Sequence, residues 1–105
     1  MQRELAANNL PEQPLDAATA FMALYLPQAR TIIEHPHTTA IAIILPPADK
    51  SHSDWRRALA RDLAREYAPK RANIIAASGG KALAQMLQFL SDAPGVTGHY
   101  CEAHE

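Results

Sequence analysis

The stretch Thr38-Thr39-Ala40-Ile41-Ala42-Ile43-Ile44-Leu45 leaves few options for the fold. A strand with one wet face alternates polar and apolar residues, whereas this run is apolar on both alternating faces. Such a strand has to be covered on both sides, as the inner strands of parallel sheets are. Pro46-Pro47 ends it, since neither residue has an N–H for a ladder. Arg71 to Ala77, built around Ala72-Asn73-Ile74-Ile75-Ala76, predicts a second strand of the same kind.

Helical patterns separate these strands. From Asp16, placed to cap a helix start, Ala17, Phe21, Leu24 and Tyr25 fall on one stripe, and Ile32 and Ile33 continue it until His35-Pro36. Pro27 should kink or split that helix near Leu26, because proline removes a donor and clashes with the preceding turn. Ser53 or Asp54 caps a second helix running to about Ala68, with Trp55, Leu59 and Leu63 on one side and Pro69 closing it. After Gly79-Gly80 a third helix, Lys81 to Ser91, turns Leu83, Met86, Leu87 and Leu90 inward, and Pro94-Gly95 leads to a last strand at about Thr97 to Ala103. Residues 1–14 read as a short edge strand over Arg3 to Ala7 or as an irregular arm. Alternating helices and strands at short spacing predict right-handed crossovers and a small three-layer parallel sheet of three to four strands with about three helices, a Rossmann-like half-fold.

A length of 105 residues fits one domain spanning 1–105. A formal net charge of -1 gives no general pull toward nucleic acid or anionic membrane. The only cysteine, Cys101, has no partner for an internal disulfide, which fits a reducing, cytoplasmic compartment. The N-terminal residues lack the basic and apolar pattern of a signal peptide. The longest apolar run, Ala40 to Pro47, is too short to cross a bilayer.

The second half of the chain points further. Leu59-Ala60-Arg61-Asp62-Leu63-Ala64-Arg65-Glu66-Tyr67-Ala68-Pro69-Lys70-Arg71-Ala72-Asn73-Ile74-Ile75-Ala76 resembles the helix-to-strand passage of short-chain dehydrogenases/reductases, L-t-r-s-L-A-x-E-y-A-P-x-g-I-R-V-N-a-I-A. Phe89-Leu90-Ser91-Asp92-Ala93-Pro94-Gly95-Val96-Thr97-Gly98-His99 resembles that family's F-L-x-S-x-x-a-x-x-V-T-G-x. Ala23-Leu24-Tyr25-Leu26-Pro27 and Ile41-Ala42-Ile43-Ile44 resemble, more faintly, its A-A-L-P helix and I-V-N-I strand. The likeness runs over roughly 17–103, in the family's order, and covers its C-terminal portion.

The resemblance implies the fold and withholds the activity. The family binds its dinucleotide at a glycine-rich turn after the first strand, but the four glycines here (Gly79, Gly80, Gly95 and Gly98) all lie elsewhere. Leu45-Pro46 stands where the catalytic serines end the I-V-N-I strand, and the tyrosine and lysine of Y-x-x-x-K fall on Asp49 and Ser53. No phenol–ammonium couple is left to move a proton. No cofactor, catalytic residue or metal is therefore expected. In short-chain dehydrogenases the helices resembling 17–34 and 53–68 build a four-helix dimer interface; here they carry Phe21, Tyr25, Trp55, Leu59 and Leu63. A homodimer through those residues follows as an expectation, with a full-length dehydrogenase-type subunit as the other partner.

Other clusters have plainer readings. His99, Cys101 and His104 are near one another, yet no C-x-x-C or H-E-x-x-H spacing marks a zinc site. Arg56, Arg57, Arg61, Arg65, Lys70 and Arg71 make one helix locally basic. Arg57, Arg61 and Arg65 recur every fourth residue as a ridge, and the whole reads as a solvated face partly neutralised by Asp54, Asp62 and Glu66 rather than a nucleic-acid contact. Ser78-Gly79-Gly80-Lys81 lacks the spacing and hydroxyl of a phosphate loop and reads as a tight turn. Two function classes follow. One is a non-catalytic interaction or regulatory module. The other is a small-ligand or metal binder, or an enzyme subunit completed at an interface, using His52, Asp49 or the C-terminal His/Cys group.

Overall fold

In the computed structural model, which describes residues 1–104, four strands form one parallel sheet in the order β1-β2-β3-β4. The strands are β1 (Gln2–Ala6), β2 (Ala40–Leu45), β3 (Arg71–Ala76) and β4 (Tyr100–Glu102). Every residue of β2 is buried, as its two-faced apolar pattern requires. Residues 2–6 are thus an edge strand, in register with β2 from Gln2↔Ala40 to Ala6↔Ile44. Exposed Arg3 and Glu4 lie on that edge, the sort of charge that keeps an open edge from pairing at random.

The sheet separates two apolar layers. On one face Ile41, Ile43, Leu45, Ala72 and Ile74 pack with Phe21, Ala29 and Ile33 from the first helical segment and with Leu59, Ala60 and Leu63 from α3 (Ser53–Tyr67). On the other face Ala42, Ile75 and Ala77 pack with Leu90, Leu83, Met86 and Leu87 of α4 (Gly80–Ser91). This helix–sheet–helix layering is the expected three-layer arrangement. One detail is corrected. The strand order steps in a single direction, so crossovers of one hand would put every helix on one face. With α4 on the face opposite α3, the β3–α4–β4 crossover has the opposite hand to the first two, against the uniform right-handedness expected. Its anchors explain the placement: Gln2 Nε2 donates to the Leu87 carbonyl at 3.1 Å, and Arg71 Nη1 donates to the carbonyls of Leu90 at 2.7 Å and Ala93 at 3.1 Å. A cation at the carboxyl end of α4 satisfies orphan carbonyls and complements the helix dipole.

The interruption at Pro27 takes a specific form. α1 (Pro14–Ala20) runs into a π-helical turn (Phe21–Tyr25), and α2 (Leu26–Ile33) starts afresh with Pro27 in its first turn. The Leu26 N–H donates to the Phe21 carbonyl, so the wide turn absorbs the mismatch where proline lacks a donor. The helix begins at Pro14, with Gln13 rather than Asp16 at the N-cap; Asp16 lies in the first turn, where its charge still faces the positive helix end. α3 likewise gains no side-chain cap from Ser53 or Asp54, because a 3-10 turn (Lys50–His52) precedes it and is capped by Asp49.

The approach to β4 depends on one buried amide. Asn73, 2% exposed, donates through Nδ2 to the Val96 carbonyl at 3.0 Å and accepts the His99 N–H on Oδ1 at 3.1 Å. Gly98, with φ +76, passes so close to α3 that an added Cβ would lie 3.3 Å from that of Ala64. No helix among the described residues is long and apolar enough to cross a membrane.

Candidate functional site

Ligands of open parallel sheets collect beyond the carboxyl ends of the strands. Here that region holds a cavity of about 380 Å³, walled by Leu10, Pro11, Pro46 and Pro47 and reaching Asp49, His52 and Arg56. Its wall exists because β2 must stop at Pro46-Pro47, and its floor because α3 turns Arg56 inward.

Arg56 is the residue that sequence reasoning missed. It was expected in a solvated basic helix, yet it is 1% exposed and the largest fully buried side chain. The signal was its position. It precedes Leu59 by three and Leu63 by seven, which puts it on the buried stripe. Its guanidinium lies 5.5 Å from the Trp55 ring centroid and 5.8 Å from that of Tyr100. Nη1 donates to the Pro46 carbonyl at 2.9 Å and to the Tyr100 hydroxyl at 3.1 Å. Nε is buried with no partner, and among the described residues no carboxylate pairs with the cation. By contrast Arg57, Arg61 and Arg65 are exposed, and Arg65 pairs with Asp62, as a solvated ridge does.

The neighbours of Arg56 are already engaged. His52, 7% exposed, accepts the Trp55 indole N–H on Nδ1 at 3.1 Å, and its Nε2 meets the Glu12 carbonyl at 2.9 Å. Those partners define a tautomer with the hydrogen on Nε2. The ring ties the segment after β1 to the start of α3 and has no nitrogen left for a substrate. Asp49 accepts from the Ser51 hydroxyl and from the Ser51 N–H at 2.9 Å, and these bonds hold its carboxyl below the usual carboxylate range. Ser53 opens α3 and is half-buried.

Three of the residues expected at a helix-built interface are buried within the chain's own core. Phe21, Leu59 and Leu63 are 0%, 3% and 4% exposed because their stripes face the sheet; Tyr25 and Trp55 keep part of their surface. Phe21 stacks on Tyr25 and tilts against Trp55. Outward apolar side chains of the first helical segment include Leu15, 83% exposed, Met22, 43% exposed, and Leu24, 60% exposed. A groove of about 220 Å³ between α2 and α3 is lined by Met22, Leu26, Leu59 and Leu63, with Arg30, Asp62 and Glu66 at its rim. Arg30 bonds both Glu66 and the Tyr67 hydroxyl, and that hydroxyl donates to Glu34 at 2.6 Å. Burial first, then the bond to Glu34, pushes the Tyr67 phenol above its usual range, while Arg30 holds the Glu66 carboxyl below its own.

No three His, Cys, Asp or Glu side chains among the described residues are placed to hold a metal. His99 is exposed, His104 lies 3.8 Å from Glu102, and Cys101 is half-buried beside α4, where desolvation pushes its thiol up and away from nucleophilic use. Gly79 and Gly80, at φ +110 and +78, form the sharp turn into α4. A family model described as short chain dehydrogenase-like protein, SDR-like, matches residues 5–103. No curated protein and no solved structure matches the chain.

Proposed function

The chain belongs to the SDR-like family of short chain dehydrogenase-like proteins, and on that premise we propose that it is a non-catalytic member, an interaction or regulatory module. The observation that carries this reading is the chemistry at the carboxyl end of β2. On the resemblance of residues 41–44 and of the segment from Leu59, Leu45 and Pro46 would fall where the family has its serines, Asp49 where it has the tyrosine and Ser53 where it has the lysine. Proton transfer to or from an alcohol needs a group poised to give and take that proton. His52 is committed to Glu12 and Trp55, and the bonds from Ser51 hold the Asp49 carboxyl below its usual range, so it is not poised to give a proton. None of the four glycines follows β1, where a dinucleotide would need the backbone to come close.

The interaction half of the proposal is a homodimer through the outer side of the α1–α2 segment and α3. Met22 and Leu24 project there beside the α2–α3 groove, in the region where members of this family pair. The surface differs from the five residues read from sequence: Tyr25 and Trp55 border it, and Phe21, Leu59 and Leu63 support it from within. A full-length dehydrogenase-type subunit would meet the same surface. Light scattering at tens of micromolar is expected to give a dimer, and Met22→Asp a folded monomer. A wild-type monomer removes homodimerisation, and alcohol-dependent reduction of NADP by the purified chain removes the non-catalytic reading.

A further inference from the structure

Burying a guanidinium is costly unless a counter-charge and hydrogen bonds replace its water. Arg56 has two hydrogen bonds, both on Nη1, and no carboxylate; its Nε–H is sealed and unpaired, and Nη2 has no hydrogen-bond partner among the described residues. With Nη1 taken and Nε sealed, Nη2 is the donor left for an anionic oxygen, and a carboxylate there would make a charge-assisted bond. Arg56 also lines the cavity beyond β2, whose other walls are Leu10, Pro11, Pro46 and Pro47.

We propose that this cavity binds a small organic monocarboxylate, its carboxylate on the Nη2 end of Arg56 and its apolar body against Leu10, Pro11, Pro46 and Pro47. The volume of about 380 Å³ suits a compact ligand rather than a peptide or nucleotide. The charges facing the cavity set the class. Glu12 and Asp49 at the exposed rim weaken the pull on any anion in proportion to its charge, and what favours a single charge is desolvation against the apolar walls, whose cost rises with the square of the charge. His52 lends no donor, both its nitrogens being used. The cation is held rigidly between Trp55 and Tyr100, so little ordering remains for binding to supply. The site goes beyond the proposed module role. It would make the family's former reaction centre a ligand pocket, and binding there does not depend on whether the chain dimerises.

The test is an NMR titration of the wild-type chain with sodium benzoate and sodium hexanoate, reading the Arg56 Nε–Hε resonance, with benzamide and inorganic phosphate in parallel. The carboxylates are expected to shift that resonance saturably at millimolar concentration, and benzamide and phosphate to leave it in place. Arg56→Met should weaken benzoate binding at least about tenfold, the loss expected of charge-assisted hydrogen bonds. If that variant does not fold, the contrast between benzoate and benzamide on the wild type still decides. An unmoved Arg56 signal, an equal response to benzamide, or phosphate binding as tight as benzoate overturns the proposal.

Discussion

Replacing Asn73 by leucine should release β4 without loosening the rest of the sheet. The side chain keeps its branched shape, grows somewhat larger and loses both bonds, leaving the Val96 carbonyl and the His99 N–H without partners. An unpaired buried polar group costs roughly 1–3 kcal/mol. Because Val96 is half-buried and His99 exposed, water recovers part of that cost, which puts the total at about 2 kcal/mol for the two groups. For a domain of this size that lowers Tm by roughly 8–16 °C. The loss should be local, since β4 is joined to the sheet by three register pairs and by flanking bonds such as Gly98 N–H to the Ala72 carbonyl at 2.7 Å and Ala103 N–H to the Ala76 carbonyl at 2.9 Å. Thermal melting followed by circular dichroism gives the magnitude, and native-state hydrogen exchange gives the location. Protection should fall at Ile74, Gly98 and Ala103 and persist at Ala7 and along β1–β2. An unchanged Tm, or protection lost equally in the β1–β2 ladder, would refute the reasoning that Asn73 secures β4 alone.

Three smaller predictions follow from the same geometry. Gly98→Ala should destabilise by about 1–2 kcal/mol, the usual cost of a Cβ in left-handed backbone, with the contact to Ala64 adding to it; denaturant unfolding would show a lower midpoint at unchanged slope. In a spectrophotometric titration one tyrosine should ionise above the ordinary range and vanish in Tyr67→Phe; because this raised group favours the protonated folded form, its stabilisation is complete below the unfolded tyrosine value and declines as pH rises through the folded one. The opposite sign holds for Glu66, whose lowered carboxyl supports the fold above the unfolded carboxylate value and ceases to as pH falls through the folded one, so Glu66→Gln should flatten the acid limb of a stability profile.

The sheet was legible in the sequence because the Ala40–Leu45 and Arg71–Ala76 runs admit no wet face. The helices were legible in their stripes but less so in their destinations. Periodicity shows that Phe21, Leu59 and Leu63 face something apolar; it does not say whether that is the chain's own sheet or a partner. It also cannot choose the face for α4, which depends on distant contacts such as Gln2 with Leu87. Pro27 announced an interruption, yet whether the helix breaks, kinks or widens depends on which carbonyl finds a donor, here Phe21 with Leu26. Arg56 was hidden by its charge, since an arginine among Arg57, Arg61 and Arg65 reads as solvated unless its register with Leu59 and Leu63 is given more weight than its residue type. The reading of Leu45, Pro46, Asp49 and Ser53 as places without the family's catalytic groups came from counting along the resemblance, which needs no knowledge of packing.

Calorimetric titration of the purified chain with NAD and NADP bears most directly on the reading as a module without oxidoreductase chemistry. The expected record is dilution heat only, for both nucleotides and with an alcohol present. A saturable heat, accompanied by formation of the reduced nicotinamide, would contradict it.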